Sequence, residues 1–208
     1  MTEKPLEFLH SGPETPDIAL VLAHGAGAGM RSPFMEFFAS GLGTRGLAVY
    51  RFEFPYMRQI AETGRRRPPN PLAVLEAAWR AVIDELAPLR LVIGGKSMGG
   101  RVASLIADDS AVAGLVCLGY PFHPPGKPEK TRTAHLATLK TPALICQGTR
   151  DPFGTRDDVA SYTLSPAIDL FWLEDGNHSL EPRRASGLTK EDNWNRAMDR
   201  ITGFIHNL

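Results

Sequence analysis

The chain has 208 residues, 43% of them hydrophobic, with 23 lysines and arginines against 23 aspartates and glutamates. That length suits one well-buried core and is short for two, so a single domain over residues 1–208 is expected. A formal charge of zero removes the electrostatic argument for nucleic acid or an anionic membrane as the main partner.

The opening MTEKPLEFLH mixes charged with apolar residues and has no run long enough for a signal peptide. The longest apolar run elsewhere is far short of a membrane span, so a cytoplasmic protein is expected. The first strong strand pattern is Ile18 to Ala23, which ends in the glycine-rich AHGAGAG. Ser32 before Pro33 then marks a helix start, with a capping side chain ahead of a proline whose missing N–H is not needed in the first turn. A second strand pattern runs from Leu47 to Phe54. The basic run Arg65-Arg66-Arg67 leads into Pro68-Pro69-Asn70-Pro71 and reads as a solvated loop. Asn70 before Pro71 repeats the capping signal for a helix with Leu72, Leu75, Trp79, Val82, Ile83 and Leu86 on one face, stopped by Pro88.

Leu89 to Gly94 is the third strand pattern, and GGKSMGG follows it into a helix carrying Val102, Leu105 and Ile106. Val112 to Leu118, Ala143 to Gln147 and Ile168 to Leu173 complete the set. Most of these runs are apolar at both alternating positions, as strands covered on two faces should be. Strands alternating with helices predict a doubly wound α/β fold, with a mostly parallel sheet between helices. The C-terminal segment opens with Thr189-Lys190-Glu191-Asp192, close to a capping box, and lines Trp194, Met198, Ile201 and Ile205 along one side, so it reads as a packing helix. Cys117 and Cys146 lie inside strand runs and read as reduced core residues.

Gly95-Lys96-Ser97-Met98-Gly99 is a G-x-S-x-G pattern between a strand and a helix. In that setting the turn is so sharp that the serine is strained and its hydroxyl projects above the sheet edge, while glycines two residues away avoid collision. A serine hydroxyl needs a base held by a third group. Asp151 stands in QGTRDPFG after the strand ending at Gln147, and His178 in EDGNHSL after the strand ending at Leu173. Both occupy C-terminal strand ends, where sites of open α/β sheets gather, and Ser97, Asp151, His178 keep the chain order Ser, Asp, His. Asp157 and Asp158 are expected to cap a helix, and Asp175 is too local to His178 to orient its ring. His10, His24, His123, His135 and His206 fail the order or the strand-end position.

The loop His24-Gly25-Ala26-Gly27 offers the second oxyanion donor, so the N–H groups of Ala26 and Met98 form the expected pair. The dinucleotide spacing G-x-G-x-x-G fails in both registers, reaching Met30 or Ser32, and a P-loop would need glycine at Arg90. With no H-E-x-x-H and no Cys/His cluster at ligand spacing, no metal and no cofactor are expected. Lys96 and Arg101 flank the serine and could bind a substrate carboxylate. The structural reading is preferred, with Lys96 turned away from the cleft and Arg101 paired with a nearby acid.

HGAGAGM, RFEFPY, GGKSMGGR, GYPFHPPGKPEK and QGTRDPFG resemble the α/β-hydrolase superfamily. More narrowly, they resemble a small dienelactone-hydrolase-related group that includes the α/β-hydrolase-like domain of a testis-expressed protein and of a chromatin-complex subunit. The resemblance implies the fold and a Ser97, Asp151, His178 site, and supplies no substrate. Dienelactone hydrolases carry cysteine where this chain has Ser97, so lactone hydrolysis is not implied. One strand, Leu6 to His10, fits before the first central strand, giving about six or seven strands where the superfamily usually has eight. The expected activity is serine hydrolysis of a small-molecule (thio)ester through an acyl-enzyme. The alternative is an idle protein-interaction domain, whose signature would be a broken triad. The segment between Leu118 and Ala143 is too short for a cap, leaving a shallow cleft lined by Gly25, Tyr56, Tyr120, Phe122 and His123.

Overall fold

The computed structural model describes residues 5–208. Seven strands form one sheet: β1 (Leu9–Ser11), β2 (Ile18–Ala23), β3 (Ala48–Phe52), β4 (Arg90–Lys96), β5 (Gly114–Leu118), β6 (Ala143–Gly148) and β7 (Ile168–Leu173). Their spatial order is β1-β3-β2-β4-β5-β6-β7. Only β1 runs antiparallel, pairing Leu9 with Arg51 of β3, and every other pair is parallel. The early strand thus begins later than Leu6, and Leu6 packs against the core from the preceding segment.

Alternation along the strands explains the two layers of helices. Ala19, Val21 and Ala23 of β2 join Leu91 and Ile93 of β4 on one face, beneath α3 (Leu72–Glu85) and α4 (Met98–Ile106). Leu20 and Leu22 join Val92 and Val116 on the other, beneath α1 (Pro33–Gly43) and α6 (Lys190–His206). Both faces are covered, so both alternating sets must be apolar. Cys117 belongs to the first face and Cys146 to the second, and both are free and buried. Trp79 of α3 is fully buried edge-on to Phe52, with ring centroids 4.7 Å apart. Truncating it to alanine should cost about 3–5 kcal/mol. Among the described residues no helix is long and apolar enough to cross a membrane.

Two caps differ from their sequence reading. Ser32 precedes α1 without a side-chain bond, so the proline alone sets that start. Asn70 does not cap α3, whose first flanking residue is Pro71. Its Oδ1 accepts instead from Tyr56 N–H at 2.8 Å, in the first turn of α2 (Pro55–Thr63), an orphan donor of a different helix. Helix α5 (Arg156–Ala160) is capped by Thr155, with Asp158 completing the box. Thr189 and Asp192 close the capping box of α6.

Between β5 and β6 the chain forms loops and one short turn, Ala134–Ala137, and builds no cap domain. The C-terminal ends of β4, β6 and β7 are therefore left to meet at one open edge.

Candidate active site

Strand β4 lies at the centre of the sheet, and its end is pressed against β2. A Cβ on Gly95 would lie 2.1 Å from Ala23 O, and one on Gly99 2.5 Å from the same oxygen. Only glycines allow that approach, and it forces the turn between them. Ser97 takes φ 50°, ψ −113°, a conformation costing on the order of 1–3 kcal/mol for a residue with a side chain. The neighbours hold it there: Ser97 N–H donates to Leu118 O at 3.0 Å, and Ser97 O accepts from Arg101 N–H at 3.0 Å.

From this turn Ser97 Oγ reaches to 2.8 Å from His178 Nε2, and His178 Nδ1 lies 2.8 Å from Asp151 Oδ2. Asp151 is fully buried. Its Oδ2 also accepts from Gln147 Nε2 at 3.0 Å, and its Oδ1 from Phe153 N–H at 2.9 Å. An ionised carboxylate is an acceptor only, so Nδ1 carries the proton and Nε2 is left as acceptor for the Ser97 hydroxyl. Gln147 is fixed in turn by Tyr120 N–H on its Oε1 at 2.7 Å. The signal for it in the sequence is its place as the amide side chain in the otherwise apolar run ALICQG, which spacing from Ser97 does not pick out.

Burial holds the His178 imidazole below its ordinary value, the Asp151 bond opposes that, and the Lys96 charge adds to it. The Lys96 ammonium donates to the His178 carbonyl and lies 5.4 Å from the Phe34 ring centroid. Burial lowers its own pKa to about 8 against the pull of Asp151 and Glu181. Lys96 thus ends on the main chain of His178 and supports that loop. Phe153 covers the imidazole, with ring centroids 4.2 Å apart.

On the other side of Ser97, the loop after β2 is set by two buried groups. His24 Nε2 accepts from Phe54 N–H at 3.2 Å, which makes Nδ1 the donor to Gly25 O at 2.7 Å. Burial lowers the His24 pKa to about 4. Tyr56 Oη lies 3.3 Å from Gly25 O and 3.0 Å from Ala26 O, and burial with the Glu53 charge raises its pKa to about 12. Because C=O and N–H of a trans peptide point opposite ways, holding Gly25 O inward turns Ala26 N–H outward. Gly25 itself is beside the elbow, where an added Cβ would lie 3.7 Å from that of Ser97. Among the described residues neither Ala26 N–H nor Met98 N–H donates a hydrogen bond.

Four of the five expected cleft residues lie elsewhere than on an open wall. Tyr56, Tyr120, Phe122 and His123 are between 0% and 3% exposed. Tyr56 is a prop for the Gly25 loop. Phe122 packs on Tyr120 at 4.8 Å between centroids and against Gly154, while His123 Nε2 faces Asp158 at 3.4 Å. Aromatic residues at a strand end marked the right edge of the sheet, but their rings turn down into the core. The fifth expected residue, Gly25, is partly exposed beside the serine, together with Met98 and Phe153. Asp175, set aside in the sequence, pairs with Arg150 and Arg183. Arg101, expected beside an acid, has none among the described residues, and its Nε is buried without a partner.

The model of a family described as an alpha/beta hydrolase domain matches residues 16–206. Among solved structures, a dienelactone hydrolase from Anabaena variabilis superimposes with TM-score 0.74 at 20% identity, covering 99% of this chain and 93% of that one. A lidless α/β serine hydrolase from Xanthomonas campestris gives 0.67 at 19%, covering 97% and 87%. An α/β serine hydrolase homologue from Coxiella burnetii gives 0.66 at 18%, covering 98% and 91%. At these identities the likeness establishes a shared fold.

Proposed function

This chain belongs to the alpha/beta hydrolase domain family, and from that premise we propose that it is a serine hydrolase cleaving small carboxylic esters or thioesters through an acyl-enzyme. The observation that carries the reading is the continuous line Asp151, His178, Ser97, with both links at 2.8 Å. His178 Nε2 takes the Ser97 proton as Oγ attacks the carbonyl carbon, and Asp151 stabilises the imidazolium that forms. The Ala26 and Met98 amides receive the developing oxyanion, since both are free of other acceptors. As the tetrahedral intermediate collapses, His178 delivers its proton to the departing oxygen or sulfur. A water then repeats the sequence on the acyl-enzyme, ending with the acid and a restored Ser97.

The partner is therefore a small-molecule ester, with no cofactor, nucleic acid or membrane needed, and a cytoplasmic setting is proposed with it. The family resemblance to interaction domains offers a second reading, an idle scaffold, but that reading gives no reason to keep a strained serine hydrogen-bonded to an oriented histidine.

A fluorophosphonate probe should label the protein once per chain, and Ser97→Ala should abolish the label. Labelling that survives the substitution removes the assignment. A panel of p-nitrophenyl and thioester substrates of graded length then identifies the acyl group accepted.

A further inference from the structure

The two edges of the sheet are finished differently. Strand β1 closes one edge with three residues, Leu9–Ser11, whereas β7 closes the other with six, Ile168–Leu173. The run IDLFWL holds no proline or glycine, and five of its six residues are partly exposed. Soluble chains usually shorten, bend or charge such an edge, because its unpaired main chain is a template for another strand. This edge is long, and Asp169 is its one charge. Ala143 N–H donates to Ala167 O at 2.9 Å and Thr149 N–H to Leu173 O at 3.1 Å, so the odd-numbered residues of β7 turn their main-chain groups toward β6. Alternation turns those of Ile168, Leu170 and Trp172 outward. Ile168 N–H folds back onto Ser165 O at 3.0 Å, while the N–H groups of Leu170 and Trp172 and the carbonyls of all three have no strand beside them.

The same alternation sorts the side chains. Ile168, Leu170 and Trp172 pack against the core beneath α3 and α4, whereas Phe171 packs on the opposite core and Asp169 pairs with Arg200 of α6. Arg196, one helical turn before Arg200, sets its guanidinium 6.0 Å from the Phe171 ring centroid. It is exposed, and among the described residues no acid pairs with it. One face of the edge therefore carries an acid and an unanswered cation, while the other is apolar throughout.

A strand of this pattern is complementary to itself run in the opposite direction. A two-fold axis normal to the sheet keeps each face on its own side, so directly opposed residues share a face, and both must point outward to exchange bonds. Centred on Leu170, the axis sets Leu170 against Leu170 and Ile168 against Trp172, which engages every outward residue. Centred on Asp169 or Phe171, it would set Trp172 against Pro166 or Ile168 against Glu174, both outside the strand. In the Leu170 register each Leu170 N–H meets the Leu170 carbonyl of the second copy, and each Trp172 N–H its Ile168 carbonyl. Asp169 then stands opposite Phe171 of the second copy, the ring that carries Arg196, and the symmetry makes this acid and cation meet twice. We propose that β7 pairs with β7 of a second copy of this chain, antiparallel about Leu170, so that the two sheets join into one and the two Ser97 sites lie at its opposite edges. The pairing is independent of the hydrolase reading.

Sedimentation velocity across the micromolar range should show a dimer that dissociates on dilution. Leu170→Pro removes the N–H at the axis, and because that N–H points away from β6 the edge tolerates proline there. It should leave a monomer with unchanged circular dichroism. Arg196→Glu, on the exposed side of α6, sets like charges against each other twice and should weaken the dimer about tenfold, with Arg196→Lys weakening it less. The register is read by oxidation. Hydrogen-bonded residues opposed in an antiparallel pair have Cα atoms about 5.5 Å apart, within the reach of a disulfide. Leu170→Cys should therefore trap a covalent dimer, whereas Asp169→Cys, displaced along the strand from its own copy, should not, and the native Cys117 and Cys146 are buried. A monomer throughout the concentration range, a dimer unaffected by both Leu170→Pro and Arg196→Glu, or trapping through Asp169→Cys in place of Leu170→Cys would overturn the proposal.

Discussion

The two sides of Ser97 are built from different kinds of group. On the β2 side, His24 and Tyr56 hold the Gly25 loop with uncharged bonds, and burial places their pKa values at about 4 and about 12. On the β6 and β7 side stand groups that can change charge: burial lowers His178 below its ordinary value, and Lys96, reaching across from the end of β4, is lowered by burial to about 8. A preorganised dipole should not titrate, whereas a base must. The difference assigns geometry to one side and proton transfer to the other.

The most severe way to break the comparison is at the base. Ser97→Ala should lower kcat for a short ester by several orders of magnitude, of the order of 10⁶ by analogy with a measured protease triad. His178→Ala should do nearly as much, and the double variant little more, because the groups act as a unit. Losses that multiply in the double variant would place the base elsewhere. The geometric side should respond more gently. Tyr56→Phe removes a hydroxyl from Gly25 O and Ala26 O while leaving the ring buried. Removing one oxyanion donor outright costs about 10²–10³ in kcat, so loosening its support should cost on the order of tenfold, with KM little changed. A rise in KM at constant kcat would return Tyr56 to the cleft wall.

The same contrast shows how far the sequence could be read. Strands β2 and β7 have the bounds their apolar runs predict, since Asp17 and His24 flank the first run and Pro166 and Glu174 lie at the ends of the second. The structure brings Ser97, Asp151 and His178 within hydrogen-bond reach because a doubly wound sheet gathers strand ends at one edge whatever the strands contain. The side-chain partners were less legible. Asn70 looks like the cap of the helix next to it and serves α2, since capping needs proximity in space only. His24, discounted as a base for failing the chain order, is a buried prop whose role depends on Phe54, thirty residues away. Tyr120 and Phe122 were placed at the correct edge, but an alternating pattern does not say which way a ring turns once the strand has ended.

A smaller and sharper test uses pH. Protonated His178 cannot accept the Ser97 proton, so kcat/KM should rise with pH through the pKa of His178, with a midpoint below the ordinary 6.5. Lys96→Met removes the cation that helps lower it, and the midpoint should move up. Tyr56→Phe should leave the midpoint in place, since neither Tyr56 nor His24 changes charge between about 4 and about 12. A midpoint indifferent to Lys96→Met, or one shifted by Tyr56→Phe, would erase the division between the two sides.

The smallest expected effect concerns what neither side provides. No domain closes over Ser97, because the chain between β5 and β6 is spent on loops that pack against α4. Tyr120 and Phe122 are buried in that packing and offer no surface to an acyl chain. A methylene gains up to about 0.8 kcal/mol, or about fourfold in kcat/KM, only where it leaves water. Beyond the first few carbons, which can rest against Met98 and Phe153, each further methylene stays hydrated. Across p-nitrophenyl esters, kcat/KM should therefore level off or fall after a few carbons. With no lid to open, the rate should also pass smoothly through the critical micelle concentration. A fourfold gain per carbon sustained to long chains would mean that Phe153 moves aside to open a buried channel on the His178 side, and that this side supplies binding as well as proton transfer.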